Sequence, residues 1–365
     1  MKKIFVFPNK QQVEIIVSKN SNDLLIFQKQ GNKKVNDNKL FNNIIEISNN
    51  FEIENFSDDL SEYIFIPCNE EAVYFLKNLA RLYKLNLPFN DKCFDMIYKI
   101  NIENILNDYD FKTIKKSTVP MKYPFIVKPN FGFGSIGVQK IQNKDELINY
   151  QNDFDKLVKV SDINNFENKY FKNDKNFIVY EEDKTHCRFF SVPFIYLKER
   201  NFVLSFPIEG KDKFNDFKLS SFYWSKFEFN PNGLDEKLRY KINKTIKMVS
   251  EKFCKQSLTG IVELVFDELD DEVKIIEFSP RVAGGKMIDL INYSTNINLN
   301  QVLVNLFTEN SSDYFEDLIN KKLIEYKPMN LILTKDLPLE NYTFTSSNFS
   351  MVFERELFYN FIYMN

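Results

Sequence analysis

The sequence has one histidine and four cysteines in 365 residues, and both shortages exclude classes of functional site. A metal centre built from several histidines is excluded because His186 stands alone, and no G-x-S-x-G motif accompanies it to indicate a Ser-His-Asp hydrolase. The cysteines form no C-x-x-C pair for zinc and no compact disulfide framework; they are Cys68, Cys93, Cys187 and Cys254. This usage is typical of a reducing cytoplasm, where we expect the protein to reside.

The sequence also lacks long apolar runs and a charge of one sign. No run reaches the ~18 apolar residues of a membrane helix, and the apolar stretch Ile4–Pro8 favours a first strand over a signal peptide. The net charge of -3, from 48 basic and 51 acidic residues, offers no broad surface for nucleic acid or an anionic membrane. We therefore expect neither as a partner, and we expect an anion to bind at a local site.

Hydrophobic patterning predicts an α/β protein of mixed α+β type with two or three globular units. Residues 1–88 alternate strands and helices, with strands at Ile4–Phe7 and Tyr63–Pro67 and an apolar helical stripe over residues 72–83. A further helix is predicted over residues 91–106, with Asp91 as its cap. Residues 89–180 and 181–365 then contain mostly strands, and the long helix predicted over residues 234–255 precedes an acidic turn.

Two glutamates flank that acidic turn. Glu263 and Glu277 lie on the strand-like runs Ile261–Phe266 and Val273–Phe278, and a hairpin centred on Asp270 pairs them directly. Their Cβ atoms are then about 5 Å apart, and period-two alternation puts Ser279 on the same face. Repulsion between the carboxylates indicates a bound cation, Mg²⁺ or Mn²⁺ by the oxygen ligands, although an acidic hairpin in solvent has the same pattern.

A glycine-rich loop follows the predicted strand Pro124–Lys128. Gly132, Gly134 and Gly137 form G-x-G-x-x-G, but residues 138–141 alternate like a strand, whereas a dinucleotide-binding loop opens into a helix. A strand, a glycine loop and a strand form a flap whose backbone N–H groups can bind phosphate, and the absence of H-R-D and D-F-G disfavours a protein kinase. Ser135 lies inside this flap.

Lys128 stands in the apolar strand that precedes the flap. An ammonium group there requires an anionic partner or an escape to water, and a phosphate in front of the flap would supply the partner.

In these motifs the chain resembles the ATP-grasp superfamily, in particular its carboxylate-amine ligases that act on amino acids or similar acids. The resemblance runs from about residue 63 to residue 300. It implies that Lys92, in Asp91-Lys92, and Lys128 bind ATP together with the flap, and that a hinge strand receives adenine. The hinge residues implied are Tyr180, Glu181, Glu182 and Asp183.

The resemblance further implies an ATP-grasp fold with a small N-terminal α/β domain at 1–88, a lid at 89–180 and a core at 181–365. Glu263, Glu277 and Ser279 would hold Mg²⁺ or Mn²⁺, and Arg281 would act with Lys128 in catalysis, binding the acceptor carboxylate or the oxyanion. The implied reaction joins a small carboxylate to an amine through an acyl phosphate made with ATP. A homodimer is compatible with this family.

Two departures from the family pattern leave alternatives open. Ser279 stands where the family usually has asparagine, and a hydroxyl is a weaker ligand for a hard cation. No ribose-binding glutamate is evident after the hinge, where Glu182 or Asp183 are substitutes. An ATP-binding protein with little turnover, or a kinase on the same fold, is therefore the alternative function, and Arg281 is alternatively a structural partner of a glutamate.

Overall fold

The structure is a computed structural model of the 365-residue chain. It describes residues 1–19, 21–29, 44–47, 59–132, 137–160, 177–183, 187–213, 224–230, 233–284, 287–308, 315–316, 318–319, 329–334, 349–351 and 359–364. The described strands form three sheets, and successive segments of the chain supply them.

The first sheet is parallel and has the order β3-β2-β1-β4. Its elements are β1 (Lys2–Val6), α1 (Lys10–Ser18), β2 (Leu24–Lys29), β3 (Ile44–Ile47), β4 (Tyr63–Pro67) and α2 (Glu70–Ala80). Every residue of β4 is buried, as expected of a parallel strand covered on both faces. Helix α2 ends earlier than its apolar stripe predicts, and Leu82 and Tyr83 beyond it are exposed.

The helix predicted over residues 91–106 is instead two helices, α3 (Lys92–Asp95) and α4 (Lys99–Asn107). Tyr98 separates them with extended backbone, and Asp91 makes no side-chain capping bond. The backbone N–H of Lys99 instead donates to the carbonyl of Asn130 at 2.7 Å. The start of α4 is therefore fixed by a tertiary contact that local sequence does not reveal.

The second sheet is antiparallel and has the order β5-β8-β6-β7. Its elements are β5 (Lys116–Ser117), β6 (Phe125–Pro129), β7 (Gln139–Ile141), α5 (Lys144–Val160) and β8 (Ile178–Glu182). The glycine loop joins β6 to β7, which confirms the strand, loop and strand reading. Asn143 and Glu146 form the predicted capping pair of α5, with the Glu146 N–H donating to Asn143 Oδ1 at 3.0 Å.

The third sheet joins nine described strands in the order β14-β13-β9-β11-β12-β15-β17-β16, with β10 paired to β9. Its strands are β9 (Cys187–Leu197), β10 (Phe202–Ser205), β11 (Ile208–Lys213), β12 (Trp224–Phe229), β13 (Leu258–Asp267), β14 (Glu272–Ser279), β15 (Met329–Thr334), β16 (Phe349–Met351) and β17 (Tyr359–Met364). The accompanying helices are α6 (Glu236–Phe253), α7 (Met287–Thr295) and α8 (Leu299–Thr308). Strand β13 lies between β9 and β14, so its side chains are held on both edges.

The first and third sheets share a continuous buried core and a polar junction. Asn300 of α8 is buried, and its amide donates to Gln11 Oε1 at 2.7 Å and accepts from Gln12 Nε2 at 3.0 Å. Both glutamines belong to α1, so the N-terminal unit is joined to the third sheet by hydrogen bonds as well as apolar packing. No helix in the described part of the chain is long and apolar enough to cross a membrane.

Candidate active site

The hairpin β13–β14 places two carboxylates opposite each other. Glu263 pairs with Glu277 and Ile261 pairs with Ser279, which confirms the predicted register at this end of the hairpin. Between Glu263 and the turn the register shifts by one residue, because Ile276 has no partner on β13. The bulge bends β14 next to the glutamates, a local distortion that is common beside active sites.

Burial, and then the nearby charge of Glu277, raise the pKa of Glu263 to about 7. The carboxyl of Glu263 therefore lacks enough nearby positive charge to remain fully ionised at neutral pH. A hard divalent cation would supply that charge, and its preferred ligands are oxygens such as those of Glu263, Glu277 and Ser279. No third histidine, cysteine, aspartate or glutamate joins them within the described ranges. The donor set fits Mg²⁺ or Mn²⁺.

Beside the hairpin, two lysines share one carboxylate oxygen. The Nζ atoms of Lys116, on β5, and Lys128, on β6, each lie 2.8 Å from Oε2 of Glu181 on β8. All three side chains are at most 7% exposed. Although burial opposes ionisation, the two lysines lower the pKa of Glu181 to about 2. The trio carries one excess positive charge, which favours an anionic ligand beside Lys128.

Lys99 connects the glycine flap to the glutamates. Its Nζ donates to the carbonyl of Gly132 at 3.1 Å and lies 3.5 Å from Glu277 Oε2. Lys92, the residue predicted for the first ATP-binding position, lies 3.6 Å from Asp108 and is 46% exposed. Asp108 follows the end of α4 and Lys99 begins it, so a helix about 13 Å long separates the two sites. Lys99 is therefore a second candidate for the first ATP-binding position, beside the predicted Lys92.

The flap is described at its two ends, and Gly134 and Ser135 lie outside the described residues. Gly132 has a φ of 142° and Gly137 a φ of 74°, both in the region that favours glycine. A Cβ atom on Gly137 would lie 2.9 Å from Pro129 Cγ, and Tyr150 donates to the Gly137 carbonyl at 2.6 Å. The C-terminal end of the flap is therefore anchored to β6 and α5.

The predicted hinge residues lie along and just after β8. Tyr180 is buried and accepts a hydrogen bond from Gln151 Nε2 at 3.2 Å. Glu182 is partly buried at the end of the strand, and Asp183 lies 2.5 Å from Lys140 Nζ. The carboxylate of Asp183 is thus paired with a lysine of β7. Glu182 is the other candidate for binding ribose. His186 lies outside the described residues.

Arg281 contacts a glutamate that the sequence analysis did not select. Its Nε–H donates to Oε2 of Glu70, the first residue of α2, at 2.6 Å, and one Nη1–H donates to the Val282 carbonyl at 2.9 Å. The hydroxyl of Ser279 donates to the same Glu70 oxygen at 3.2 Å. The partly buried ion pair between Glu70 and Arg281 therefore joins the N-terminal unit to the end of β14.

A cavity of about 740 Å³ lies near these groups but does not include the glutamates. Its lining includes Lys77 of α2, Arg81 just after that helix, Tyr98, and Asn130 just after β6. Tyr98 and Asn130 are next to the segments that carry Lys99 and the flap. The charged centre made of Glu263, Glu277, Lys99 and Lys128 lies outside this cavity.

Comparisons with known proteins agree with this architecture. Residues 121–289 match a family model described as an ATP-grasp domain. No curated protein matches the sequence. The structure is similar to that of an L-amino acid ligase from Bacillus licheniformis, with a TM-score of 0.67, 16% identity, and 100% of this chain and 93% of that chain covered.

Two further solved structures have the same fold at low identity. A carboxyaminoimidazole ribonucleotide synthase from Aspergillus clavatus, complexed with ATP, has a TM-score of 0.61 and 11% identity, over 91% of this chain and 81% of that chain. A phosphoribosylglycinamide synthetase from Anaerococcus prevotii has a TM-score of 0.58 and 12% identity, over 99% and 93%. The chain therefore has the ATP-grasp fold, which confirms the resemblance found in the sequence.

Proposed function

We propose that the protein is an ATP-dependent ligase that joins a small carboxylate, such as an amino acid, to an amine through an acyl phosphate. The observation that carries this proposal is the direct pairing of Glu263 with Glu277 beside the buried cations Lys99 and Lys128. The phosphates of a nucleotide would pair with the lysines, and the divalent cation bound to those phosphates would pair with the glutamates. The products would be ADP, phosphate and the joined compound.

Each group of residues has a separate part in the proposed reaction. Glu263, Glu277 and Ser279 would hold Mg²⁺, which offsets phosphate charge when it is bound. Lys99 and Lys128 would neutralise phosphate oxygens, and the flap from Gly132 to Gly137 would exclude water from a hydrolysable intermediate. The hinge from Tyr180 to Asp183 would receive the adenosine.

Arg281 would bind the acceptor carboxylate or the oxyanion that forms during acyl transfer. A guanidinium group has five N–H donors, and two of them are used by Glu70 and Val282. Among the described residues, Nη2 has no hydrogen-bond partner, so both Nη2–H donors and one Nη1–H are left for a carboxylate. The bond to Glu70 gives Arg281 a structural partner without occupying those donors.

The proposal is tested by ADP and phosphate release with ATP, Mg²⁺ and a panel of carboxylates paired with amines. We expect release that depends on both substrates, and a loss of at least about 100-fold in Glu263→Gln and Glu277→Gln because each removes a metal carboxylate. Glu272→Gln is the matched control, since Glu272 lies on the same strand and pairs with Lys112 at the surface. Release that no substrate pair stimulates would overturn the ligase proposal.

A second candidate is an ATP-binding protein with little turnover. Glu263, Glu277 and Ser279 form the proposed metal-binding face of the hairpin, called the metal face. Ser279 donates its hydroxyl hydrogen to Glu70, and a hydroxyl is a weak ligand for a hard cation. Tight ATP binding without ADP release would favour this candidate. ADP formation with a stable phosphorylated product would indicate a kinase instead.

A further inference from the structure

Glu70 of the N-terminal unit makes two described hydrogen bonds with residues at the end of β14. It occupies the first turn of α2, and the Asn69 side chain caps that helix by accepting from the Ala72 N–H at 2.9 Å. The cap fixes the helix start, and the side chain of Glu70 is only 14% exposed. Its Oε2 accepts from Arg281 and from Ser279, 211 and 209 residues away in the sequence.

The geometry of these bonds determines which part of Arg281 is free. The contact of Glu70 with Nε and the contact of Val282 with Nη1 restrain the guanidinium plane at two points. A long side chain that is free to rotate loses conformational entropy when it binds a ligand, and a restrained one has already lost it. These two bonds leave three N–H donors of Arg281, both on Nη2 and one on Nη1, available to a ligand.

The charge of Glu70 matters as much as its position. Without that carboxylate, Arg281 would be a partly buried cation without its counter-charge, and Glu263, on which its charge already acts, would be an alternative partner. An arginine that pairs with Glu263 or Glu277 would compete with the cation that the proposed function requires. Glu70 keeps Arg281 engaged away from those carboxylates.

We propose that Glu70 is a positioning residue that presents the remaining N–H donors of Arg281 to the acceptor carboxylate and makes acceptor binding depend on the docking of the N-terminal unit. The role rests on the proposed ligase function, and it predicts an effect on one substrate only. Removal of Glu70 should weaken the carboxylate acceptor and leave the nucleotide unaffected, because Glu70 contacts neither Lys99 nor Lys128 among the bonds described.

The first experiment tests the contact between Glu70 and Arg281 and does not require enzyme activity. The chain has six arginines, so the ¹⁵N–¹H spectrum of arginine Nε groups is simple, and the Arg281 signal is assigned by its absence in Arg281→Lys. In Glu70→Gln we expect this signal to shift and its hydrogen to exchange with water about tenfold faster or more, because a charge-assisted bond is lost. An unchanged Arg281 signal would overturn the proposal, whether or not the protein is a ligase.

The second experiment measures the KM of each substrate in Glu70→Gln and Glu70→Ala, with the exposed Glu14→Gln as control. We expect the KM of the acceptor carboxylate to rise about tenfold or more while the KM of ATP stays within about twofold. In an Arg281→Lys background, the added Glu70→Gln change should alter the acceptor KM by less than about twofold, because both act through one contact.

The outcomes separate this proposal from the proposed function. An equal rise in both KM values, accompanied by a lower Tm, would show that Glu70 only joins two parts of the fold, and would overturn the positioning role. Additive effects of the two substitutions on the acceptor KM would overturn it as well. Absence of ADP release from the parent protein with every substrate pair would reject the ligase function, while the NMR result would still decide the contact.

Discussion

Lys99 and Glu277 lie 3.5 Å apart, and this ion pair joins the start of α4 to the metal face of β14. Both side chains are mostly buried, so the interaction is screened less by solvent than a surface pair. The same ammonium group contacts the carbonyl of Gly132. One lysine therefore links the flap, the N-terminal end of a helix and a candidate metal ligand.

This arrangement predicts different effects for two lysines that lie seven positions apart. Lys99→Ala should raise the Kd of ATP about tenfold or more, because a buried cation at the phosphate site is lost. Lys92→Ala should change it by less than about twofold, since Lys92 is half-exposed and pairs with Asp108. Isothermal titration with ATP and Mg²⁺ measures both. A larger effect at Lys92 would show that the nucleotide lies at the other end of α4.

The pKa of Glu263 predicts a pH-dependent stability. The folded protein keeps a proton on Glu263 up to about pH 7, whereas the unfolded chain releases it near the ordinary value of 4.5. The protonated Glu263 therefore makes its full contribution to stability below pH 4.5. As the pH rises to about 7 this contribution is lost, and the free energy of unfolding falls by roughly 1 to 3 kcal/mol. Urea unfolding from pH 5 to pH 8 measures this loss.

Two controls assign that pH dependence to the glutamate pair. Glu277→Gln should reduce it because one source of repulsion is gone, and saturating Mg²⁺ should reduce it because the cation favours the ionised carboxylate. The surface variant Glu272→Gln should leave it unchanged. A pH profile that none of these changes affect would place its origin elsewhere in the molecule.

Lys116 and Lys128 share one carboxylate oxygen of Glu181, and this predicts a large loss of stability when Glu181 is replaced by glutamine. Glu181→Gln leaves the buried ammonium groups of Lys116 and Lys128 without a counter-charge, and we expect the free energy of unfolding to fall by about 3 to 5 kcal/mol. Urea unfolding at pH 7 measures this change, with Glu14→Gln as an exposed control. A loss below about 1 kcal/mol would contradict it.

Glu181 also predicts a pH dependence of stability, and its sign is opposite to that of Glu263. Because the pKa of Glu181 is lowered to about 2, its contribution is complete above pH 4.5 and is lost as the pH falls toward 2. The parent protein should therefore lose more stability than Glu181→Gln between pH 5 and pH 3. Parallel acid slopes in the two proteins would exclude this assignment.

Gly137 predicts a backbone effect at the end of the flap. Gly137→Ala places a Cβ against Pro129 at a φ of 74°, and we expect a loss of about 1 to 3 kcal/mol in stability. Gly284→Ala is the matched control because its added Cβ would meet only Arg281 Nη1, at 3.6 Å. Equal stability of the two variants, measured by thermal unfolding, would count against the strain.

The sequence predicted the parts of the site that depend on local pattern. The pairing of Glu263 with Glu277 follows from period-two alternation and a short turn, and the Asn143–Glu146 cap follows from spacing alone. The strand after the glycine loop was also readable from alternation. In each case the residues that determine the structure lie within about 15 positions of one another, where sequence patterns are informative.

The remaining parts of the site depend on contacts between distant segments. Lys99 reaches the site because Tyr98 interrupts a helix, and that break is stabilised by Asn130, 31 positions after Lys99. Glu70 meets Arg281 across 211 positions, and Lys116 meets Glu181 across 65. No short-range spacing identifies such partners, although a glutamate in a helix's first turn is a signal that can be checked once a fold is known.

The junction between α1 and α8 has a consequence for solution conditions. Asn300, Gln11 and Gln12 are neutral amides, so the hydrogen bonds they form do not titrate and are not weakened by counterions as an ion pair is. The attachment of the N-terminal unit should therefore persist in high salt and across a wide pH range. Substitutions that break the Glu70–Arg281 or Lys99–Glu277 pair should therefore leave the two halves of the molecule together, held by these amides.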